Sequence, residues 1–335
     1  MDNPAVNTDP AVDPAVECSS GQALPALKES ALRIVVIGDI HLYRLRVSPR
    51  RLLGKRLLGQ SNLWLNRRFR FNHDMLPPLI ERVRALEPEL VLLTGDLTTT
   101  SLEDEFAEIE RLFLPLADQV PVVMVPGNHD RYTFRSARKR RMEKVLHRLV
   151  PERFPDVRPL IGRWRLLSLD SARPQVMLSR GGLGARQLVT ARRLAGELTT
   201  DDGLVVLCHY PSATPPGTPR SWAHEMAHAE TLHHLLATCP ARVLFVHGHI
   251  HKPWHWEKYR EGARQLDFLN AGAPCMVSTQ YPLGQGFWQI ELPGAVDRAL
   301  KLVHHVPMPG GHYGTKPSRA VVAGLDAKWH ARTVL

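Results

Sequence analysis

Runs of Val, Ile and Leu recur along the chain, and each stops abruptly at a polar turn. Arg33–Ile37 runs into Gly38-Asp39, Leu90–Leu93 into Thr94-Gly95-Asp96, and Val120–Val125 into Pro126-Gly127-Asn128. Further on, Leu204–Leu207 runs into Cys208-His209, and Val243–Val246 into His247-Gly248-His249. Their length and β-branching predict buried strands. Helical stretches lie between them, over Asp74–Ala85, Leu102–Leu116, Ala185–Leu198 and Ala227–Leu236. Additional strands are expected around Gln265–Leu269, Gly286–Glu291 and Leu300–His304. Alternating strands and helices predict an α/β fold. Ligands of open α/β sheets sit beyond the carboxyl ends of the strands. The polar turns are therefore expected to meet on one sheet edge, although they are spread from residue 38 to residue 251.

The chain has 335 residues, of which 44% are hydrophobic and 23% charged, so it can bury a full core and wholesale disorder is excluded. No break in composition divides it, which favours one large domain over residues 29–310. Residues 1–28 read as a disordered tail: Asn3-Pro4-Ala5-Val6 recurs as Asp9-Pro10-Ala11-Val12 and Asp13-Pro14-Ala15-Val16, with little to bury. Residues 311–335 read as a C-terminal extension. The four cysteines, Cys18, Cys208, Cys239 and Cys275, form no CxxC pair, which argues against a disulfide framework or a Cys-rich zinc module. No apolar run approaches the roughly 20 residues that span a bilayer. No secretory signal pattern opens the chain, and a cytoplasmic location is expected.

The polar turns carry Asp39, His41, Asp96, Asn128, His129, His209, His249 and His251. Carboxylate oxygens and imidazole nitrogens in this mixture suit Mn, Fe, Zn or Co ions. So many ligands exceed what one ion uses and point to two divalent metal ions sharing a carboxylate. Such a pair, roughly 3.5–4 Å apart, clamps the attacking and leaving oxygens of an in-line phosphoryl displacement. Water between the ions becomes hydroxide near neutral pH.

Taken in order, Gly38-Asp39-Ile40-His41, Gly95-Asp96, Gly127-Asn128-His129-Asp130, His209 and Gly248-His249-Ile250-His251 resemble the five signature blocks of the calcineurin-like metallophosphoesterases. The resemblance covers about residues 33–305. It implies a four-layer α/β/β/α sandwich, two mixed sheets with helices outside. It also implies that Asp39, His41 and His251 hold one metal, that Asn128, His209 and His249 hold the other, and that Asp96 bridges. His129 would stabilise the transition state or protonate the leaving oxygen. Asp130 is expected to orient His129, as carboxylates often orient imidazoles. Asn270-Ala271-Gly272-Ala273 resembles a turn that passes close to the site in this family. Arg131, His224 and His228 are candidates for substrate contact.

His224-Glu225-Met226-Ala227-His228 also matches HExxH, which on a helix would be the zinc-protease pattern. It follows a Pro-rich stretch and falls near an expected helix start, so a polar helix at the mouth of the metal site is the favoured reading. Cys208 precedes His209 without any oxyanion-hole signature, and a thiol at a buried strand end is ordinarily inert.

Charge adds a question of partner. Lys plus Arg number 43 against 33 Asp plus Glu, a net +10 that favours a phosphorylated substrate, a nucleic acid or an acidic membrane surface. Residues 42–73 hold nine cations (Arg44, Arg46, Arg50, Arg51, Lys55, Arg56, Arg67, Arg68, Arg70) and no acid. Leu53, Leu57 and Trp64 recur there on a similar helical face, so the basic apolar insertion reads as an element for an anionic membrane surface at the cytoplasmic face. Residues 131–148 hold eight more cations and one acid, Glu143. Both runs are equally the pattern of solvated helix faces, and nothing resembling an RNA- or DNA-binding motif favours nucleic acid. The residues thus predict a dinuclear metal-dependent phosphoesterase that cleaves a phosphodiester or pyrophosphate. The insertion points to an amphiphilic, nucleotide-linked lipid precursor, with loose resemblance to UDP-2,3-diacylglucosamine pyrophosphatases. The alternative is a cyclic-nucleotide phosphodiesterase, and after it a nuclease.

Overall fold

Alternation along the first strand sets the architecture. On β1 (Ala31–Ile37), Leu32, Ile34 and Val36 pack into one apolar cluster while Val35 and Ile37 pack into another, and all five are buried. A strand that is apolar on both faces must lie between two layers. The computed structural model describes residues 31–44, 70–175, 179–218, 221–260, 263–277 and 285–315. The tail at 1–28 and most of the basic insertion, residues 45–69, lie outside the described residues.

The first sheet adds β2 (Leu90–Leu93), β3 (Val122–Met124), β12 (Phe287–Pro293), β13 (Lys301–Met308) and β14 (His312–Thr315), in the order β14-β13-β12-β1-β2-β3. The second contains β4 (Asp156–Pro159), β5 (Trp164–Leu169), β7 (Gly203–Cys208), β9 (Arg242–His247), β10 (Trp254–Arg260) and β11 (Ala263–Asn270), in the order β10-β11-β9-β7-β5-β4. A short pair, β6 (Gly181–Gly182) and β8 (Met226–Ala227), stands apart. Both large sheets are mixed: β1, β2 and β3 run parallel while β12 runs against β1, and β5, β7, β9 and β11 run parallel while β4 and β10 run against their neighbours.

Three cores separate four layers. Ile34, Val36, Leu92 and Val123 of the first sheet meet Val205, Leu207, Leu244 and Val246 of the second. Helices α1 (Leu76–Ala85), α2 (Glu103–Ala117) and, after the short α3 (Phe134–Arg138), α4 (Arg141–Val145) cover the outer face of the first sheet with Leu79, Val83, Phe106, Phe113 and Met142. Helices α5 (Ala185–Glu197) and α6 (Ala229–Thr238) cover the second with Leu194, Leu232 and Leu236. This is the α/β/β/α sandwich expected from the sequence. The expected strands and helices are all present, with ends shifted by a few residues. β4, β5, β6, β8, β10 and β14 are additional strands, and β14 carries the first sheet past residue 310 to Thr315. No helix among the described residues is long and apolar enough to cross a membrane.

Candidate metal centre

Beyond the carboxyl ends of β1 and β2 the backbones stay paired. Asp39 N–H donates to Gly95 O at 3.0 Å, His41 N–H to Asp96 O at 2.9 Å and Leu42 N–H to Leu97 O at 2.8 Å. This pairing sets Asp39 and His41 beside Asp96. From the other sheet, the loop after β9 arrives with His249 N–H donating to both oxygens of Asp39, at 3.1 and 3.0 Å. The approach is close enough to require glycine: a Cβ on Gly127 would lie 2.1 Å from Asp96 Oδ1, and one on Gly248 would lie 2.6 Å from Asp39 Oδ2.

Asp39, His41, Asp96, His249 and His251 all have left-handed backbones, with φ between 50° and 72°. They are five of the nine such non-glycine residues described. Strained φ values cost on the order of 1–3 kcal/mol each and persist where function needs the geometry.

The side chains form two groups that share Asp96. In the first, His41 Nε2 lies 2.9 Å from His251 Nε2, 3.7 Å from Asp96 Oδ2 and 4.0 Å from Asp39 Oδ1, and His251 Nε2 lies 3.4 Å from Asp39 Oδ1. In the second, His209 Nε2 lies 3.4 Å from Asp96 Oδ2 and 3.2 Å from Asn128 Oδ1, and His249 Nδ1 lies 3.1 Å from Asn128 Oδ1. Each group turns carboxylate oxygens and imidazole nitrogens toward one point. Lone pairs crowded in this way repel unless a cation sits among them, and the mixed oxygen and nitrogen set suits a divalent transition metal. The residues fit the group the sequence implied.

Backbone carbonyls select the tautomers. His209 Nδ1 donates to Thr94 O at 2.8 Å, which leaves Nε2 as the basic atom facing Asp96. His129 Nδ1 donates to Thr99 O at 2.8 Å. His249 is reversed: Nε2 donates to His224 O at 2.9 Å and Nδ1 faces Asn128. A carbonyl only accepts, so each contact fixes where the ring proton sits. Phe71 buttresses the first group, 4.9 Å from the His41 ring and 6.0 Å from that of His251.

Burial pushes the Asp96 carboxyl up, but the imidazoles of His209, His129 and His41 outweigh it and hold the group well below the usual carboxylate range. Burial likewise pulls His209 down, and Asp96 and Asp39 reverse this and raise it. His249 is held down by burial and by its neighbour His209.

Several sequence expectations need correction. Asp130 does not orient the His129 ring. Its carboxylate accepts from Thr98 N–H, the Thr98 hydroxyl and Gly127 N–H, each at 3.0 Å, so it braces the backbone of the turn. Arg131 does not reach the cleft described below. Its guanidinium is committed to Asp170 at 2.8 Å and Glu143 at 2.9 Å. The HExxH residues are not on a helix: His224 ends a 3-10 turn, Glu225 is extended, Met226 and Ala227 form β8, and His228 caps α6 with φ 63°. The two histidines therefore cannot share a helical face. His224 lines the cleft beside the metal groups, and His228 does not. Cys208 is buried and its thiol is pushed up to about 12, which makes it inert.

The sequence reading missed the run Thr98-Thr99-Thr100-Ser101, although four hydroxyl residues directly after a metal block are a visible signal. Thr98 and Thr99 make the contacts above, and Ser101 Oγ donates to the carbonyls of His129 or Asp130, both at 2.8 Å, while accepting from Tyr132 N–H at 2.8 Å. Asn270 was singled out as a turn residue, and it is one: Nδ2 donates to Gly248 O at 3.1 Å, which braces the loop that carries His249 and His251.

A cleft of about 680 Å³ opens from this centre. Asp96, Asn128, His129, His249 and His251 line it together with the segment Pro211–Thr218, Met226 and the start of α6.

A sandwich of two mixed sheets with two Asp/His groups at its strand ends defines a metal-dependent phosphoester hydrolase. The model of the calcineurin-like phosphoesterase family matches residues 32–253, and the chain belongs to that family. Over 232 residues it is 29% identical to the 3′,5′-cyclic adenosine monophosphate phosphodiesterase CpdA of Pseudomonas aeruginosa, covering 68% of this chain and 72% of that protein. It is 21% identical to a probable cyclic nucleotide phosphodiesterase of Vesicomyosocius okutanii, over 54% of this chain and 70% of that one. Among solved structures, a dimetal phosphatase from Danio rerio shares the fold with a TM-score of 0.56 and 12% identity, over 85% of this chain and 98% of that one.

Proposed function

We propose that the chain is a dinuclear phosphodiesterase acting on a cyclic mononucleotide. The observation that carries this is the wall of the cleft. Among its described lining residues there is no Lys or Arg, while Glu225 and Glu230 are present. Among these described residues a second phosphate, as in a nucleoside-diphosphate-linked lipid, would meet carboxylates and no cation. A single phosphodiester with a neutral sugar and base would not. The volume lies within the ~300–1,000 Å³ of typical small-molecule sites. Similarity to cyclic-nucleotide phosphodiesterases supports the same choice and sets the lipid precursor behind it.

In this reading Asp39, His41 and His251 would hold one divalent cation and Asn128, His209 and His249 a second, with Asp96 shared by the two groups. When bound, the two cations would activate water and neutralise charge on the phosphate oxygens. The protein's part is positioning and electrostatics. Asp96 keeps its charge because His209 and His129 hold it ionised. His129, its Nδ1–H committed to Thr99, would carry a proton at Nε2 for the departing ribose oxygen. Asp130, Thr98 and Ser101 fix the turn that aims it.

The test is a substrate panel with the Mn-loaded protein: 3′,5′-cyclic AMP, bis(p-nitrophenyl) phosphate and a UDP-linked diacylglucosamine. Cyclic AMP is expected to be cleaved with the highest kcat/KM. Preference for the lipid-linked diphosphate would reject the proposal.

A further inference from the structure

Two polar groups in the cleft have no task in the metal centre. Ser212 is only 7% exposed and lies three residues beyond His209; it lines the cleft, and its Oγ meets no hydrogen-bond partner among the described residues. A buried hydroxyl left unbonded carries a desolvation cost that a bound ligand can recover. Glu230, in the first turn of α6, also lines the cleft and enters no ion pair among the described residues. Pro215 and Met226 supply apolar surface in the same cleft.

We infer that Ser212, Glu230, Pro215 and Met226 form a nucleoside subsite. It would receive the sugar and base of the phosphodiester whose phosphorus lies at the metal groups. The inference rests on the phosphodiesterase reading above and adds the residues that recognise the rest of the substrate. A carboxylate accepts from a ribose hydroxyl or an exocyclic amine and repels a further anion, so Glu230 selects a neutral, donor-bearing group. The Ser212 hydroxyl bonds a base edge, and the proline and methionine pack against the rings. The open space contiguous with Asn128 and His129 leads here, so a substrate seated on the metals reaches these groups.

The probe is adenosine as a competitor of bis(p-nitrophenyl) phosphate hydrolysis by the metal-loaded full chain. Adenosine should inhibit the wild type competitively. Glu230→Ala and Ser212→Ala should each weaken that inhibition about five- to tenfold, as loss of one hydrogen bond implies. Each should also lower the ratio of kcat/KM for cyclic AMP to that for bis(p-nitrophenyl) phosphate by a similar factor. Glu230 is on the surface, so its variant keeps the fold, and a melting curve checks Ser212→Ala. The inference is overturned if adenosine does not compete, if choline competes in its place, or if both variants keep the wild-type inhibition constant. If adenosine competes in a Glu230-dependent way while cyclic AMP is not cleaved, the nucleoside subsite stands and the cyclic-nucleotide reading falls.

Discussion

Replacing Glu105 with Gln should remove most of one pH-dependent component of stability. Glu105 is fully buried in the first turn of α2. Its Oε2 accepts from Thr100 N–H at 2.9 Å and Leu102 N–H at 3.1 Å, and its Oε1 from the Thr100 hydroxyl at 2.8 Å. Burial outweighs these bonds and raises the carboxyl from 4.5 to about 7. Between those values the folded protein keeps a proton that the unfolded chain has released, so stability falls as pH rises through the window. At 1.36 kcal/mol per pKa unit, the full loss above pH 7 is about 3 kcal/mol. Gln fits the same bonds, accepting from both backbone N–H groups through its oxygen and donating to Thr100 through its amide, and it cannot titrate. Urea unfolding of both proteins at pH 5 and pH 8, in the same metal buffer, isolates the difference. Wild type should lose about 2–3 kcal/mol more than Glu105→Gln between the two pH values. Parallel pH profiles would refute the assignment of that cost to Glu105.

Other outcomes follow from the same geometry. His129→Ala should retain metal, by elemental analysis, and lose about 10²–10⁴ in kcat, since only proton transfer and charge stabilisation are removed. Gly127→Ala forces a Cβ to within 2.1 Å of Asp96 Oδ1, and elemental analysis should find metal content reduced. Arg131→Met leaves Asp170 and Glu143 without their shared guanidinium, and urea unfolding at pH 8 should show a loss of about 3 kcal/mol.

The metal groups were legible in the sequence because each donor sits in a turn directly after an apolar run, and parallel strands bring such turns to one edge. What each donor leans on was not legible. His209, His129 and His249 are oriented by the carbonyls of Thr94, Thr99 and His224, and a carbonyl carries no residue signature. Asp130 misled for the same reason: adjacency to His129 suggested a carboxylate–imidazole pair, whereas the tight turn aims it at Thr98 and Gly127. HExxH failed as a helix motif because Glu225 and Met226 are extended, and the chain there serves the cleft and the His249 tautomer. β10 went unread because Trp254–Arg260 mixes aromatic and charged residues; its place beside β11 gives it partners that no local pattern reveals.

The most direct measurement is the rate of 3′,5′-cyclic AMP hydrolysis as Mn²⁺ is returned to chelator-stripped protein, with bound metal counted in parallel. The account predicts no hydrolysis without metal, a rate that saturates at two bound ions per chain, and neither saturation nor two ions in Asp96→Ala. Hydrolysis that persists in chelator, or an Asp96→Ala protein that binds two ions and turns over like wild type, would contradict it.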